Sequence, residues 1–305
     1  MSKFAKIMTT LSVVTVIAFF LFLSSIVTLV SRLAEGEMSI SKERKPHITV
    51  LKIEVVIQSS EKYLESIQRI SEDETCQGIL LRIDSPGGAV GSSQEIFSAL
   101  RGLKAKGRPI VVSQGNLAAS GGYYISLAGD RIFSNPGTLT GSIGVIMQFP
   151  EASKLMEKVG LGLYTVKSGA LKDVGNFSRT PTPEELHYLQ VVIDNTYNQF
   201  LDDIVASRKV ARTDLVKIAD GRIMTGQQAL ASRLVDTLGG YREAEAYLVK
   251  LVHLEGKPLV LKEPPPKHWV ENFMESNAAT SLGALTQAAN SLLPLVREGT
   301  YYLWK

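Results

Sequence analysis

The stretch Asn116-Leu117-Ala118-Ala119-Ser120-Gly121-Gly122-Tyr123-Tyr124 sets one serine among small residues, between two apolar runs. The upstream run, Pro109 to Ser113, is short and β-branched and predicts a buried strand. The downstream run, Tyr123 to Ala128, predicts the start of a helix. A serine at such a junction meets free backbone N–H groups and the positive end of a helix, which would stabilise an alkoxide or a tetrahedral oxyanion. The same position also suits a plain N-capping serine, and these residues alone fit both readings.

A serine nucleophile needs a base. The four histidines are His47, His187, His253 and His268, so the loops around Ser120 contain none. That disfavours a Ser-His-Asp triad. With Cys76 as the only cysteine, it also disfavours a His/Cys metal site, and no cofactor or metal is expected. Lysine is the other base that serine uses. Two candidates lie downstream, Lys167 and Lys172, in Lys167-Ser168-Gly169-Ala170-Leu171-Lys172-Asp173. Serving near neutral pH requires a lysine pKa lowered by about 3, on the order of 4 kcal/mol, which burial among apolar groups supplies. Asp173 would oppose this at Lys172 unless its carboxylate points elsewhere. Ser142, in Thr140-Gly141-Ser142, is available to aim an amine, and Gly87-Gly88 after Pro86 could join the Gly121 N–H in an oxyanion hole. An ordinary turn explains the paired glycines equally well.

The elements that would position these residues alternate. Strands are expected at 47–53, 77–83, 109–113, 131–134 and 163–166. Helices are expected at 59–72, 92–106, 151–159, from Thr182 or Pro183 to about Ser207, and at 213–219, 226–234 and 242–251. This order predicts an α/β domain with parallel strands. The 33 Lys+Arg nearly balance 30 Asp+Glu, which gives no support to nucleic-acid binding. From Ile7 to Ser31 no residue is charged, a length that suffices for one membrane-spanning helix. Lysines and arginines flank it on both sides, so the charge count does not fix orientation. A short N-terminus inside with the main domain outside is the preferred topology. The expected organisation is a stub and anchor at 1–34, a linker at 35–46, a catalytic domain at 47–262, and a Pro-rich break with a tail helix at 263–305.

Taken together, Asp84-Ser85-Pro86-Gly87-Gly88, Ala118 to Tyr124, Gly137 to Gly144, and Ser168 to Asp173 resemble the signal peptide peptidase A family, in the superfamily of the Clp protease and crotonase folds. Gly221 to Gly226 and Leu234 to Gly240 fit as well, and the resemblance runs from about His47 to Val252. It implies a repeated ββα superhelix with one N-terminal transmembrane helix. Ser120 would be the nucleophile and Lys172 the general base, with Ser142 orienting the lysine and Gly87 with Gly121 lining the oxyanion hole. It further implies a ring-shaped homo-oligomer at the cell membrane in which Lys172 can serve the Ser120 of a neighbour. The implied substrates are apolar peptides such as cleaved signal peptides. Two alternatives share the fold: a membrane protease acting on one specific membrane protein, and a crotonase-like acyl-thioester enzyme, which would leave Ser120 and Lys172 without a role.

Overall fold

The computed structural model describes residues 45–256, the backbone of 261–262, and the isolated positions 22 and 24. Everything below belongs to one unit that begins at His47. The expected anchor and the expected tail helix lie outside the described residues. Among those described, no helix is long and apolar enough to cross a membrane.

Strands β1 (His47–Glu54), β2 (Cys76–Ser85) and β3 (Ile110–Ala119) pair side by side in parallel. Their crossovers contain α1 (Glu61–Glu72) and α2 (Val90–Ala105). Strand β3 then forks. Val111–Gln114 pair with β4 (Arg131–Ser134), and Leu117–Ala119 pair with β5 (Leu139–Gly141), both parallel. Strand β6 (Ile223–Thr225) runs antiparallel to β5, β7 (Thr237–Leu238) lies beside β4, and β8 (Leu261–Lys262) lies beside β1. The remaining described helices are α3 (Gly121–Ser126), α4 (Ser153–Lys158), α5 (Pro183–Arg208), α6 (Arg212–Leu215), α7 (Gly226–Ala231) and α8 (Tyr241–Leu251).

The central strands read as nearly continuous apolar runs because both of their faces are covered. On β2, Ile79, Leu81 and Ile83 join Ile67, Ile96 and Leu100 of α1 and α2 in the larger core. Leu80 points the other way, with Ile48, Val50 and Val111, onto Leu248 of α8. Each such fully buried aliphatic side chain contributes about 1.5–3 kcal/mol, so this three-layered centre anchors the frame.

Two expectations need correction. Strand β3 does not end at Ser113 but runs on to Ala119. The Asp84 carboxylate sits in the fork and accepts from the Asn116 and Leu117 backbone N–H groups at 3.3 and 3.1 Å, so both of these donors at the bend are satisfied. A Cβ at position 115 would lie 2.5 Å from that carboxylate, which is why a glycine stands there. The expected strand at 163–166 is absent. Leu163, Tyr164 and Val166 are 57–91% exposed, and without a partner ladder their β preference forms no strand.

Candidate active site

Ser120 occupies the sharp turn between β3 and α3, with φ 53° and ψ −121°. That left-handed backbone is costly for a residue with a side chain, on the order of 1–3 kcal/mol, and persists only where surrounding structure enforces it. Here the enforcement comes from both sides. The Ser120 N–H donates to the Gly141 carbonyl at 2.9 Å, and the Ser120 carbonyl accepts from the Tyr124 N–H at 2.8 Å. The helix that follows is locked in turn. Tyr123 is fully buried and donates to the Leu234 carbonyl at 2.9 Å, and burial pushes its phenol well above the usual range. Tyr124 donates to Asp203 of α5 and packs its ring edge-on to Phe97 and against Phe200.

The glycine loop after β2 lies directly against this turn. A Cβ on Gly87 would fall 2.5 Å from the Gly121 nitrogen and 2.9 Å from the Ser120 Cβ, so only glycine lets the two backbones meet. The loop is pinned from behind by residue 57: Ile57 N–H donates to the Gly87 carbonyl at 2.9 Å and Ala89 N–H to the Ile57 carbonyl at 2.7 Å. The Gly87 N–H is itself engaged, donating to Ser85 Oγ at 3.2 Å. Between these engaged donors, the Gly88 N–H has no acceptor among the described residues, and Gly88 lines the cleft beside Ser120. The Gly121 N–H opens α3 and so has no intrahelical acceptor. Gly88 and Gly121 thus present backbone N–H groups without an acceptor among the described residues, whereas that of Gly87 is taken. Gly87 supplies the close approach.

The cleft beside Ser120 is open, with walls from Val90, Tyr124, Val145 and Phe200, and Gln94 and Thr196 at its edge. Of these wall residues only Tyr124 belongs to a motif visible in the sequence, because Val90, Val145 and Phe200 come from three other separated segments. Ser142 follows the Gly141 carbonyl that receives the Ser120 N–H. It has φ 49°, and its own N–H donates to the Arg222 carbonyl at 2.8 Å. The structure thus brings Ser120, Gly87, Gly88, Gly121 and the 141–142 peptide together.

Lys172 is not among the residues lining that cleft. It is exposed, on a turn in the segment 161–180 that precedes α5. Lys167 donates to the Ala170 carbonyl at 2.7 Å and forms an ion pair with Asp173. Asp173 also accepts from Arg179 Nε at 3.1 Å, and Arg179 pairs with the buried Glu185 of α5. The concern that Asp173 would pair with Lys172 is answered in part: its carboxylate is engaged by Lys167 and Arg179. Of the described histidines, His47 is buried against Asp73 and Thr75, while His187 and His253 are exposed, and none lines the cleft. Among the described residues no group of three or more His, Cys, Asp or Glu is placed to hold a metal.

Comparison with known proteins gives the family of the chain. Residues 102–255 match the model of peptidase family S49, and residues 15–163 match that of the ClpP-like SDH-type serine proteinases. A protein of Synechocystis sp. named as a protease is 43% identical over 198 residues, covering 64% of this chain and 71% of that protein. A protein of Enterococcus faecium named as a signal peptide peptidase, SppA, is 39% identical over 60% of this chain and 54% of its own length. Protease 4 of Salmonella typhi is 33% identical over 73% of this chain, which spans only 36% of that longer protein. A parallel α/β frame, a serine forced into a strained strand-to-helix turn and these matches lead to one conclusion: the chain belongs to peptidase family S49 and is a serine protease of ClpP-like fold.

Proposed function

We propose that the protein is a membrane-anchored endopeptidase with a Ser120/Lys172 dyad that degrades remnant signal peptides and similar apolar peptides. The observation that carries this reading is the pairing of a half-buried serine, set beside two open N–H donors, with an apolar cleft. In the proposed reaction, neutral Lys172 accepts the Ser120 hydroxyl proton as Oγ attacks the scissile carbonyl. The oxyanion is received by the Gly88 and Gly121 N–H groups, an interaction of the kind worth about 3–4 kcal/mol in the transition state. Collapse breaks the C–N bond, and the lysine returns the proton to the leaving amine. A water then repeats the sequence on the acyl-serine, its proton passing through Lys172 back to Ser120 Oγ. Ser142 orients the amine throughout. The Val90, Tyr124, Val145 and Phe200 walls favour a small apolar side chain before the cleaved bond.

The base is supplied by a neighbouring subunit of a ring. Supporting this, Lys172 lies outside the cleft of its own chain, on an exposed segment rich in apolar side chains that suit a subunit interface. An apolar substrate would enter from the membrane to which residues 7–31 tether the ring. The test is complementation. Ser120→Ala and Lys172→Ala should each be inactive on a fluorogenic apolar peptide while remaining assembled. Dissociating and co-assembling equal amounts of the two should restore about a quarter of wild-type activity, because a serine and a neighbour's lysine then meet at random. Complete silence of the mixed rings would place the dyad within one subunit, and activity in Lys172→Ala would remove the lysine from the mechanism.

A further inference from the structure

The turn that carries Lys172 is held at both ends by charge. Lys167 reaches the Ala170 carbonyl at 2.7 Å on one side of Lys172 and the Asp173 carboxylate on the other. Arg179 approaches Asp173 with Nε at 3.1 Å and a second nitrogen at 2.9 Å. The same guanidinium grips Glu185, with 2.9 Å from Nη1 to Oε2 and a further bond to Oε1. Glu185 is 3% exposed and closes the capping box of α5, accepting from the Thr182 N–H at 2.8 Å. The chain Lys167–Asp173–Arg179–Glu185 therefore ties the turn to a rigid 26-residue helix. The charged groups facing Asp173 are Lys167 and Arg179, with Glu185 behind the arginine.

We propose that Arg179 is a positioning residue for the base: it fixes the Lys172 turn to the start of α5 and keeps the Asp173 carboxylate occupied. The reasoning is electrostatic. A carboxylate adjoining a lysine stabilises the ammonium form, the form that cannot accept the Ser120 proton, and an opposite charge within about 4–6 Å is worth roughly 1–3 pH units. Arg179 is suited to the task because its planar fork serves two carboxylates at once, which a lysine does poorly. The hydrogen bonds from Arg179 and then Lys167 hold the Asp173 carboxyl well below the ordinary carboxylate range, so it stays ionised, and needs its partner, across all working pH values. This inference rests on the Ser120/Lys172 reading.

The experiment uses the full-length, assembled enzyme and the pH profile of kcat/KM, whose acid limb reports deprotonation of the base. Arg179→Gln should lower kcat by about tenfold or more with KM little changed, and move the acid limb upward by about one pH unit or more. Adding Asp173→Asn to that variant should return the limb to its wild-type position, since no carboxylate is left to hold the lysine's proton. Asp173→Asn alone should lower kcat without raising the limb. Should Arg179→Gln fail to assemble, Arg179→Lys provides the readout: it keeps a cation on Asp173 but loses the fork to Glu185, so kcat should fall with the limb held in place. An unshifted limb in assembled Arg179→Gln, whatever its kcat, overturns the proposal, as does an upward shift in Asp173→Asn or in Arg179→Lys. Lys172→Ala is the control that separates the two ideas. If it retains activity the dyad itself is wrong, whereas an inactive Lys172→Ala beside an unshifted Arg179→Gln refutes the clamp alone.

Discussion

Ser120 shows stability exchanged for reactivity within one residue. Its φ of 53° is paid for by the surrounding bonds to Gly141 and Tyr124, not by its own side chain. Glycine adopts this backbone at little cost, so Ser120→Gly should abolish cleavage while raising the unfolding free energy by about 1 kcal/mol over Ser120→Ala. Thermal or denaturant unfolding of the two inactive variants checks this, and equal stabilities would mean the turn is not strained. The glycines opposite show the converse. Gly87 and Gly88 are both required by contacts, since a Cβ on Gly88 would fall 2.0 Å from the Ile57 carbonyl oxygen, and Gly88 in addition presents a backbone donor.

At the scale of elements, the site is where three loops converge on the bent end of β3. The bend depends on Asp84, which accepts three hydrogen bonds from Asn116 and Leu117, and on the change of partner from β4 to β5. The segment 161–180 is attached differently, through ion pairs to the first turn of α5, and its attachment should depend on pH. Arg179 and the Thr182 N–H lower the Glu185 carboxyl from an ordinary 4.5 to about 2, and Asp173 is lowered as well. A depressed carboxyl stabilises the folded form fully above its unfolded pKa, and that contribution is lost as pH falls through the folded value. The segment should therefore stay protected above pH 4.5 and loosen between 4.5 and about 2. Hydrogen exchange of residues 161–180 over that range would show it, and protection unchanged down to pH 2 would assign the attachment to other contacts.

At the scale of the whole described domain, exposed apolar side chains gather in one segment. Leu161, Leu163, Tyr164 and Val166 are 59, 57, 91 and 83% exposed along one extended segment, next to the turn bearing Lys172. Contiguous apolar exposure of this kind marks a surface meant to be covered. In the proposed ring it is covered by the next subunit, so assembly and activity should fail together. Replacing Tyr164 and Val166 by aspartate should yield a folded but smaller species by sedimentation, with peptide cleavage reduced by about a hundredfold or more. A variant that remained assembled and active would place the interface elsewhere.

The sequence by itself determined the alternation of strands and helices, the buried strand before Ser120 and the small-residue segments that meet there. Those features depend on local periodicity and on glycine and proline at turns, which a chain displays without folding. The absence of histidine near Ser120 was also legible, since an inventory needs no coordinates. Only the tertiary structure decided the rest. It carried β3 past Ser113, because the Asp84 carboxylate from another strand supplies the acceptor for the bend. It left 163–166 without a ladder, because no strand among the described residues pairs with it. It gave the Gly87 N–H an acceptor in Ser85 Oγ and left that of Gly88 without one among the described residues. It also paired Lys167 with Asp173, a contact set by the fold of a whole segment against α5. Spacing reveals which residues can do chemistry, but which hydrogen bonds are already made is settled by residues far apart in the chain.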